Sequence, residues 1–311
     1  MQDPSHSRVL VTGITGYLAS HAAKQLLEAG YHVIGTARNM EKANALRQQF
    51  AEFGRFEVAE VKDLEDAGAY DELIKNIDYI LHIASPLRMD IKDPLKDMVY
   101  PAVNGTTNVL NAAYTYGTNV KHVVVTSSLA AVAWSAKAGY TFDEKDWNDE
   151  PVNYIQAWTE GDDIHPGMAY MAAKNAAERA VWEFRAAKNP KFGIATIQGD
   201  NKEVPAAYPY QAFVDVRDAA KAHIKAMELG EKSDGERFIV VEKMFTWQEL
   251  VDILRGRFPD FQDRIPKGTP GENYETMYTV SGEKAAQRLA MKYIDLETSV
   301  VETVTSLKQF W

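Results

Sequence analysis

The stretch that most restricts the fold is "RVLVTGITGYLASHAAKQLLEAG", residues 8–30. Its opening "RVLVT" is a nearly unbroken β-branched and apolar run, as expected of a strand covered on both faces. The closing "YLASHAAKQLLEAG" (17–30) spaces apolar residues three and four apart and ends at Gly30, which predicts an amphipathic helix with a glycine stop. Between them stand Gly13, Gly16 and Ala19. A turn of this kind aims bare amides and a helix N-terminus at a pyrophosphate, and a side chain at position 13 or 16 would obstruct the approach. Alanine is tolerated at the third position, which only lets helix and strand pack closely. Gly13, Thr15, Gly16, Tyr17 and Leu18 are therefore candidate cofactor-binding residues. The competing reading is a tight turn with no ligand.

The alternation continues. "HVIGTA" (32–37), "RFEVAEV" (55–61), "YILHIAS" (79–85), "HVVVTSS" (122–128) and "FGIATIQ" (192–198) read as further strands. Helical stretches separate them at 40–50, 70–77, within 97–117 and near 168–188. This rhythm predicts an α/β fold, a Rossmann-type doubly wound parallel sheet with helices on both faces. Past residue 199 it breaks. "GDNKEVPAAYPYQ" lacks periodicity, "AFVDVRDAAKAHIKAMELG" reads as a strand tip and a helix, and "RFIVV" as another strand. "TWQELVDILRGRF" opens with a Thr246–Glu249 capping box, and the tail near "LETSVVETVTSLKQF" is amphipathic. The expected division is a dinucleotide-binding domain over 1–198, with 212–229 packing back onto it. A smaller, discontinuous substrate lobe is then drawn mainly from 199–211 and 230–311.

Composition narrows the function. Apolar residues at 46% and charged residues at 25% are ordinary for a globular protein with a sizeable core. The net charge of −10 argues against nucleic acid or an anionic membrane as partner. Without cysteine there is no disulfide, thiolate metal site or cysteine nucleophile. The N-terminus shows no secretory pattern, and no apolar run approaches the roughly 20 residues that span a bilayer. A cytoplasmic protein, monomer or homodimer, is expected. The seven histidines are scattered without metal-ligand spacing, so no metal is expected.

Cofactor choice is read at the end of the second strand. An acidic residue there would bond the adenine ribose of NAD. Here "GTARNMEK" supplies Arg38 and, one turn on, Lys42. Arginine can stack on adenine and pair with a 2′-phosphate, which predicts NADPH; the alternative is a solvated basic loop.

Of fifteen tyrosines, only Tyr170, in "YMAAK", has lysine four residues later. On a helix Tyr170 and Lys174 share a face, one turn apart. The fifth strand ends in Thr126, Ser127 and Ser128, at the carboxyl edge where doubly wound sheets bind ligands. A hydroxyl, a phenol and an ammonium are thereby expected to converge beside a nicotinamide.

Together, "TGITGYLA", "TAR", "KDL", "HIASP", "PAVNGT", "VVVTSS", "YMAAK" and "FVDVRDAAKAH" resemble the extended short-chain dehydrogenase/reductase family over nearly the whole chain. The likeness is strongest to its dihydroflavonol-reductase-like branch, with the fungal methylglyoxal and aldehyde/ketone reductases. The resemblance implies that Tyr170 is the general acid, that Lys174 tunes it and holds the nicotinamide ribose, and that Ser128 orients the carbonyl. It further implies that Asp63 and Leu64 meet the adenine, and that Ile83, Ala84, Ser85 and Thr126 line the cofactor. Leu87, Met89 and Trp134 are candidate substrate contacts. The pro-S hydride is the expected donor.

Two departures stand out. Where many extended relatives carry asparagine in the helix after the fourth strand, this chain has Ala102, so a proton relay through that residue must be rebuilt; Asn104 is expected to tie the helix to a nearby loop. After the sixth strand the family continues with a proline turn and a long substrate-covering segment, whereas "ATIQ" here passes straight into "GDNKEVPAAYPYQAFVDVRD". Losing that cover would expose the nicotinamide to water. Additional chain, visible as an intact mass several kilodaltons above 34.8 kDa, is therefore expected rather than a shortened cover.

The expected function is NADPH-dependent reduction of an aldehyde or ketone to an alcohol. An NAD-retaining nucleotide-sugar epimerase or dehydratase, and a non-catalytic NADP-sensing regulator, remain the alternatives.

Overall fold

The computed structural model describes residues 4–86, 88, 90–133, 139–199, 210–271 and 278–308. Its strands are β1 (Arg8–Val11), β2 (His32–Ala37), β3 (Phe56–Glu60), β4 (Tyr79–His82), β5 (His122–Thr126), β6 (Tyr140–Phe142), β7 (Gly193–Gln198), β8 (Tyr210–Phe213), β9 (Glu236–Ile239), β10 (Lys243–Thr246) and β11 (Tyr278–Val280). The helices are α1 (Tyr17–Glu28), α2 (Met40–Gln49), α3 (Asp71–Ile74), α4 (Tyr100–Tyr116), α5 (Glu150–Ala157), α6 (Pro166–Lys188), α7 (Val216–Leu229), α8 (Trp247–Arg257), α9 (Glu283–Arg288) and α10 (Leu296–Leu307).

Seven strands form one sheet in the order β3-β2-β1-β4-β5-β7-β9, all parallel. The reversal of direction lies between β1 and β4, so the crevice above their carboxyl ends is the natural ligand site. The sheet is buried on both sides, which is why β1, β4 and β5 carry continuous apolar runs instead of alternating ones. One face packs on α1 and α7. Ala19, Ala22, Ala23, Leu26 and Leu27 of α1 are buried against the small-residue face of α7, and Gln25 Nε2 donates to the Arg217 carbonyl at 2.8 Å. The other face packs on α4 and α6, with Val109, Leu110, Val181 and Phe184 in its core. Each such aliphatic side chain contributes about 1.5–3 kcal/mol when fully buried.

The differences from the expected elements have local causes. The helix expected over 70–77 is only Asp71–Ile74, because Asp78 is already committed to starting β4: its carboxylate accepts from the Arg8 amide and its own amide donates to the Arg8 carbonyl. The capping box forms by half. Thr246 Oγ1 accepts from the Glu249 amide at 3.1 Å, but the Glu249 carboxylate turns to Lys243 Nζ at 2.5 Å instead of reaching back. The strand tip expected at the start of "AFVDVRD" is the end of β8, which pairs antiparallel with β10; β10 and the parallel pair β6–β11 have no counterpart in the sequence reading. The 311-residue sequence runs without interruption from β7 to β8, and its mass is 34.8 kDa. The additional chain expected there is not part of it, and the connection is short.

Candidate active site

A cleft of about 810 Å³ opens along the carboxyl ends of β1, β2, β4 and β5. One end of it is made by the first turn. Gly13 has φ +70°, and a Cβ there would sit 3.1 Å from Ala84 Cα and Cβ, so both conformation and space require glycine. Gly16 caps α1 without a side-chain hydrogen bond, and the first turn of α1 carries no acidic residue, which leaves its amides to face the cleft. The register of this turn is set by Thr12, fully buried. Its hydroxyl accepts from the Ile83 and Ala84 amides, each at 3.0 Å, and donates to His82 Nδ1 at 3.0 Å, tying β1 to the segment after β4.

Arg38 and Lys42 stand exposed on the same cleft, and Asn39 between them caps α2 by accepting from the Lys42 amide at 3.0 Å. Among the described residues no salt bridge engages Arg38 or Lys42, so both charges remain available to an anion. Asp63 and Leu64 form the neighbouring wall; the Asp63 carboxylate accepts from the Glu65 amide at 2.9 Å. Helix α4 holds this loop in place. Asn104 Nδ2 donates to Glu65 Oε1 at 3.0 Å and Asn108 Nδ2 to the Leu64 carbonyl at 3.0 Å, so Asn104 is a tie to the loop as expected. Ala102 is buried in the core between α4 and α6.

At the other end, Thr126, Ser127, Ser128, Tyr170 and Lys174 line the cleft together with Ile83, Ala84 and Ser85. Helix α6 begins with Pro166 in its first turn and ends at Asn189 in the left-handed region, and it presents Tyr170 and Lys174 one turn apart. Of the two serines lining the cleft, Ser127 gives its hydroxyl proton to Glu178 Oε2 at 2.5 Å and does not offer it to a ligand. Ser128, in extended conformation, accepts from the Ala130 amide at 3.2 Å, and among the described residues its hydroxyl donates to no acceptor.

Lys174 is 7% exposed and donates to the Thr126 carbonyl at 3.1 Å. Burial pulls its pKa down to about 8, with the Glu178 charge acting in the opposite sense. Two buried histidines flank it. His223 Nδ1 donates to the Ala219 carbonyl at 2.7 Å and its Nε2 accepts from Thr126 Oγ1 at 2.8 Å. Burial, and then the Lys174 charge, lowers His82 to about 3; burial and Lys174 likewise lower His223 to about 4. Both are neutral at physiological pH, so neither places a competing cation beside the ammonium.

The sequence reading did not single out Thr12, His82, His223, Glu178 or Arg237. Glu178 alone left a trace, one turn beyond Lys174 on the same face. Leu87, Met89 and Trp134 lie outside the described residues. Among the described residues no cluster of His, Asp and Glu has the makings of a metal site, and no helix is long and apolar enough to cross a membrane.

The chain is similar to known proteins along nearly its whole length. The NADPH-dependent methylglyoxal reductase of Saccharomyces cerevisiae is 33% identical over 346 aligned positions, covering 97% of this chain and 98% of that one. A ketoreductase of Aspergillus niger is 32% identical, covering 96% and 97%. The Gre2 structure from Candida albicans in complex with NADPH superposes with a TM-score of 0.86 at 33% identity, covering 97% and 99%. An alignment of 346 positions against 311 residues leaves at least 35 positions of the yeast relative without a counterpart. Residues 9–197 match the model of the NAD dependent epimerase/dehydratase family. With that match over more than half its length, and relatives above 30% identity along nearly all of it, the chain belongs to this family.

Proposed function

We propose that the protein reduces an aldehyde or ketone to an alcohol with NADPH as hydride donor. The observation that carries this reading is the convergence of Ser128, Tyr170 and Lys174 on one cleft with the Gly13–Gly16 turn. The chain fits the cofactor: a glycine cradle that a Cβ would fill lies at one end, and two exposed, unengaged cations suit a 2′-phosphate. NADPH, when bound, supplies the hydride. The protein does the rest. Ser128 donates to the carbonyl oxygen and fixes its direction. Tyr170 gives that oxygen its proton as charge develops, and the Lys174 ammonium favours the phenolate left behind. Gly13, Thr15, Gly16, Tyr17 and Leu18 hold the pyrophosphate, Arg38 and Lys42 the 2′-phosphate. Asp63 and Leu64 border the adenine, and Ile83, Ala84, Ser85 and Thr126 the remainder of the cofactor.

The substrate side is assigned to the lobe from 199–211 and 230–311, apart from β9, which is a strand of the main sheet. A cytoplasmic monomer or homodimer acting on a small carbonyl compound completes the reading. A retained NAD, as an epimerase would need, is disfavoured by Arg38 at the position where an acid would bond the ribose.

Tyr170→Phe tests the mechanism. NADPH oxidation with methylglyoxal is expected to fall by roughly 10²–10⁴-fold, the usual worth of a positioned acid. NADPH binding, followed by fluorescence, stays near the parent value. Unchanged turnover defeats the mechanism. Absence of NADPH oxidation by the parent chain with any carbonyl compound, with NADPH still bound, would instead favour the NADP-sensing alternative.

A further inference from the structure

Behind the serine edge, outside the cleft, Glu178 is 2% exposed and gathers five donors. Its carboxylate accepts from Ser127 Oγ (2.5 Å), Thr196 Oγ1 (2.8 Å), Gln198 Nε2 (2.5 Å), Arg237 Nε (2.7 Å) and Arg237 Nη2 (3.3 Å). These groups come from β7, β9 and the residue just past β5, three adjacent strands of the sheet, while Glu178 rides on α6 one turn past Lys174. Arg237 is itself fixed: its Nη1 donates to the Glu144 and Asp146 carbonyls at 2.7 and 2.8 Å, and its guanidinium lies 3.9 Å from the Trp147 ring centre. A buried ion pair of this kind is seldom a better stabiliser than apolar residues of the same volume, because both charges must first leave water. Its retention directly beneath the site asks for another reason.

We propose that Glu178 is a positioning residue for the reaction: it clamps the helix bearing Tyr170 and Lys174 to the strand end bearing Ser128, and sets a negative charge behind the lysine. The proposal rests on the Ser128–Tyr170–Lys174 reading and deepens it. Ser127, adjacent to Ser128, is the link on the sheet side. Lys174 and Glu178 are one turn apart on the other, so a shift of either element moves the acid relative to the carbonyl it must reach. The groups facing Lys174 are Tyr170 and Glu178 from its own helix, the Thr126 carbonyl from β5, His82 from β4 and His223 from α7. The histidines are neutral, and Glu178 supplies the anion that favours the ammonium.

Glu178→Gln and Ser127→Ala test this, with Tyr170→Phe as reference and methylglyoxal plus NADPH as the assay. In Glu178→Gln, kcat is expected to drop roughly 10- to 100-fold, the scale of a small misplacement of reacting groups. The KM for NADPH should move by less than about threefold, since the loss belongs to the transition state. The alkaline limb of the kcat profile should shift to lower pH, because the charge holding the lysine protonated is gone. In Ser127→Ala the carboxylate remains, so kcat falls by roughly 3- to 10-fold with the limb in place. A purely structural role predicts lower melting temperatures with parental kcat and limb in both variants; that result, with Tyr170→Phe inactive, overturns the proposal and leaves the mechanism standing. Parental turnover in Tyr170→Phe would remove the mechanism itself. Should Glu178→Gln not fold, parental kcat in Ser127→Ala alone overturns the clamp.

Discussion

At the phosphate end of the cleft the walls are bare backbone and exposed side chains; at the catalytic end they are buried groups, each bonded to several others. Gly13 and Gly16 contribute conformation and empty space, and Arg38 and Lys42 project from the surface. Lys174, by contrast, sits among Thr126, His223, His82 and Glu178, where a change in one group alters the charge or placement of the next. The difference is one of dielectric. Exposed charges act nearly independently and are weakened by salt, whereas buried ones couple strongly and non-additively.

Lys174→Met should give the largest effect and break the catalytic end alone. Turnover falls by about 10³-fold or more, since the phenol loses its cation. The apoenzyme should become more stable. The folded pKa of about 8 lies below the ordinary lysine value of 10.5, so the cost of burying the ammonium is fully present below pH 8. It is relieved as pH rises from 8 toward 10.5, where the unfolded chain binds more protons. Removing the ammonium should recover on the order of 3 kcal/mol at neutral pH. Thermal melts across pH check both sign and window. The parent enzyme should correspondingly lose reductase activity as pH rises through about 8.

Gly13→Val strikes the other end. A β-branched residue at φ +70° against Ala84 is expected to weaken NADPH binding by roughly 10²-fold and to cost about 1–3 kcal/mol of stability. Arg38→Ala should be milder and cofactor-selective, raising the NADPH KM by roughly tenfold while leaving NADH nearly unaffected. The loss should shrink as salt rises, because the partner charge is exposed. If NADH suffers equally, Arg38 does not read the 2′-phosphate and the two ends differ less in character. Asn104→Ala should be smallest: releasing one bond to the adenine-side loop costs about 1 kcal/mol or less, seen as a slight rise in NADPH KM at unchanged kcat.

What could be read in advance followed the same line. The glycine turn and the Tyr170–Lys174 pair are local patterns, set by strand-to-helix geometry and by a period of 3.6 residues. The polar network behind them is not local. Ser127, Glu178, Thr196, Gln198 and Arg237 are spread over more than a hundred residues, and a glutamate in a helix reads as solvated until its neighbours are known. Ser127 and Ser128 are equivalent as letters; the Glu178 carboxylate separates them by engaging the first. Likewise α3 is short because Asp78 is claimed by Arg8, a residue seventy positions earlier.

The order of residues along the chain was enough to determine a parallel α/β sheet, a phosphate-sized turn and a tyrosine one helical turn from a lysine, because each depends only on neighbours in sequence. Which serine hydroxyl Glu178 claims, which histidines stay neutral and which anion backs the lysine were decided by tertiary structure alone. Those properties come from burial, and burial is a relation between segments distant in the chain.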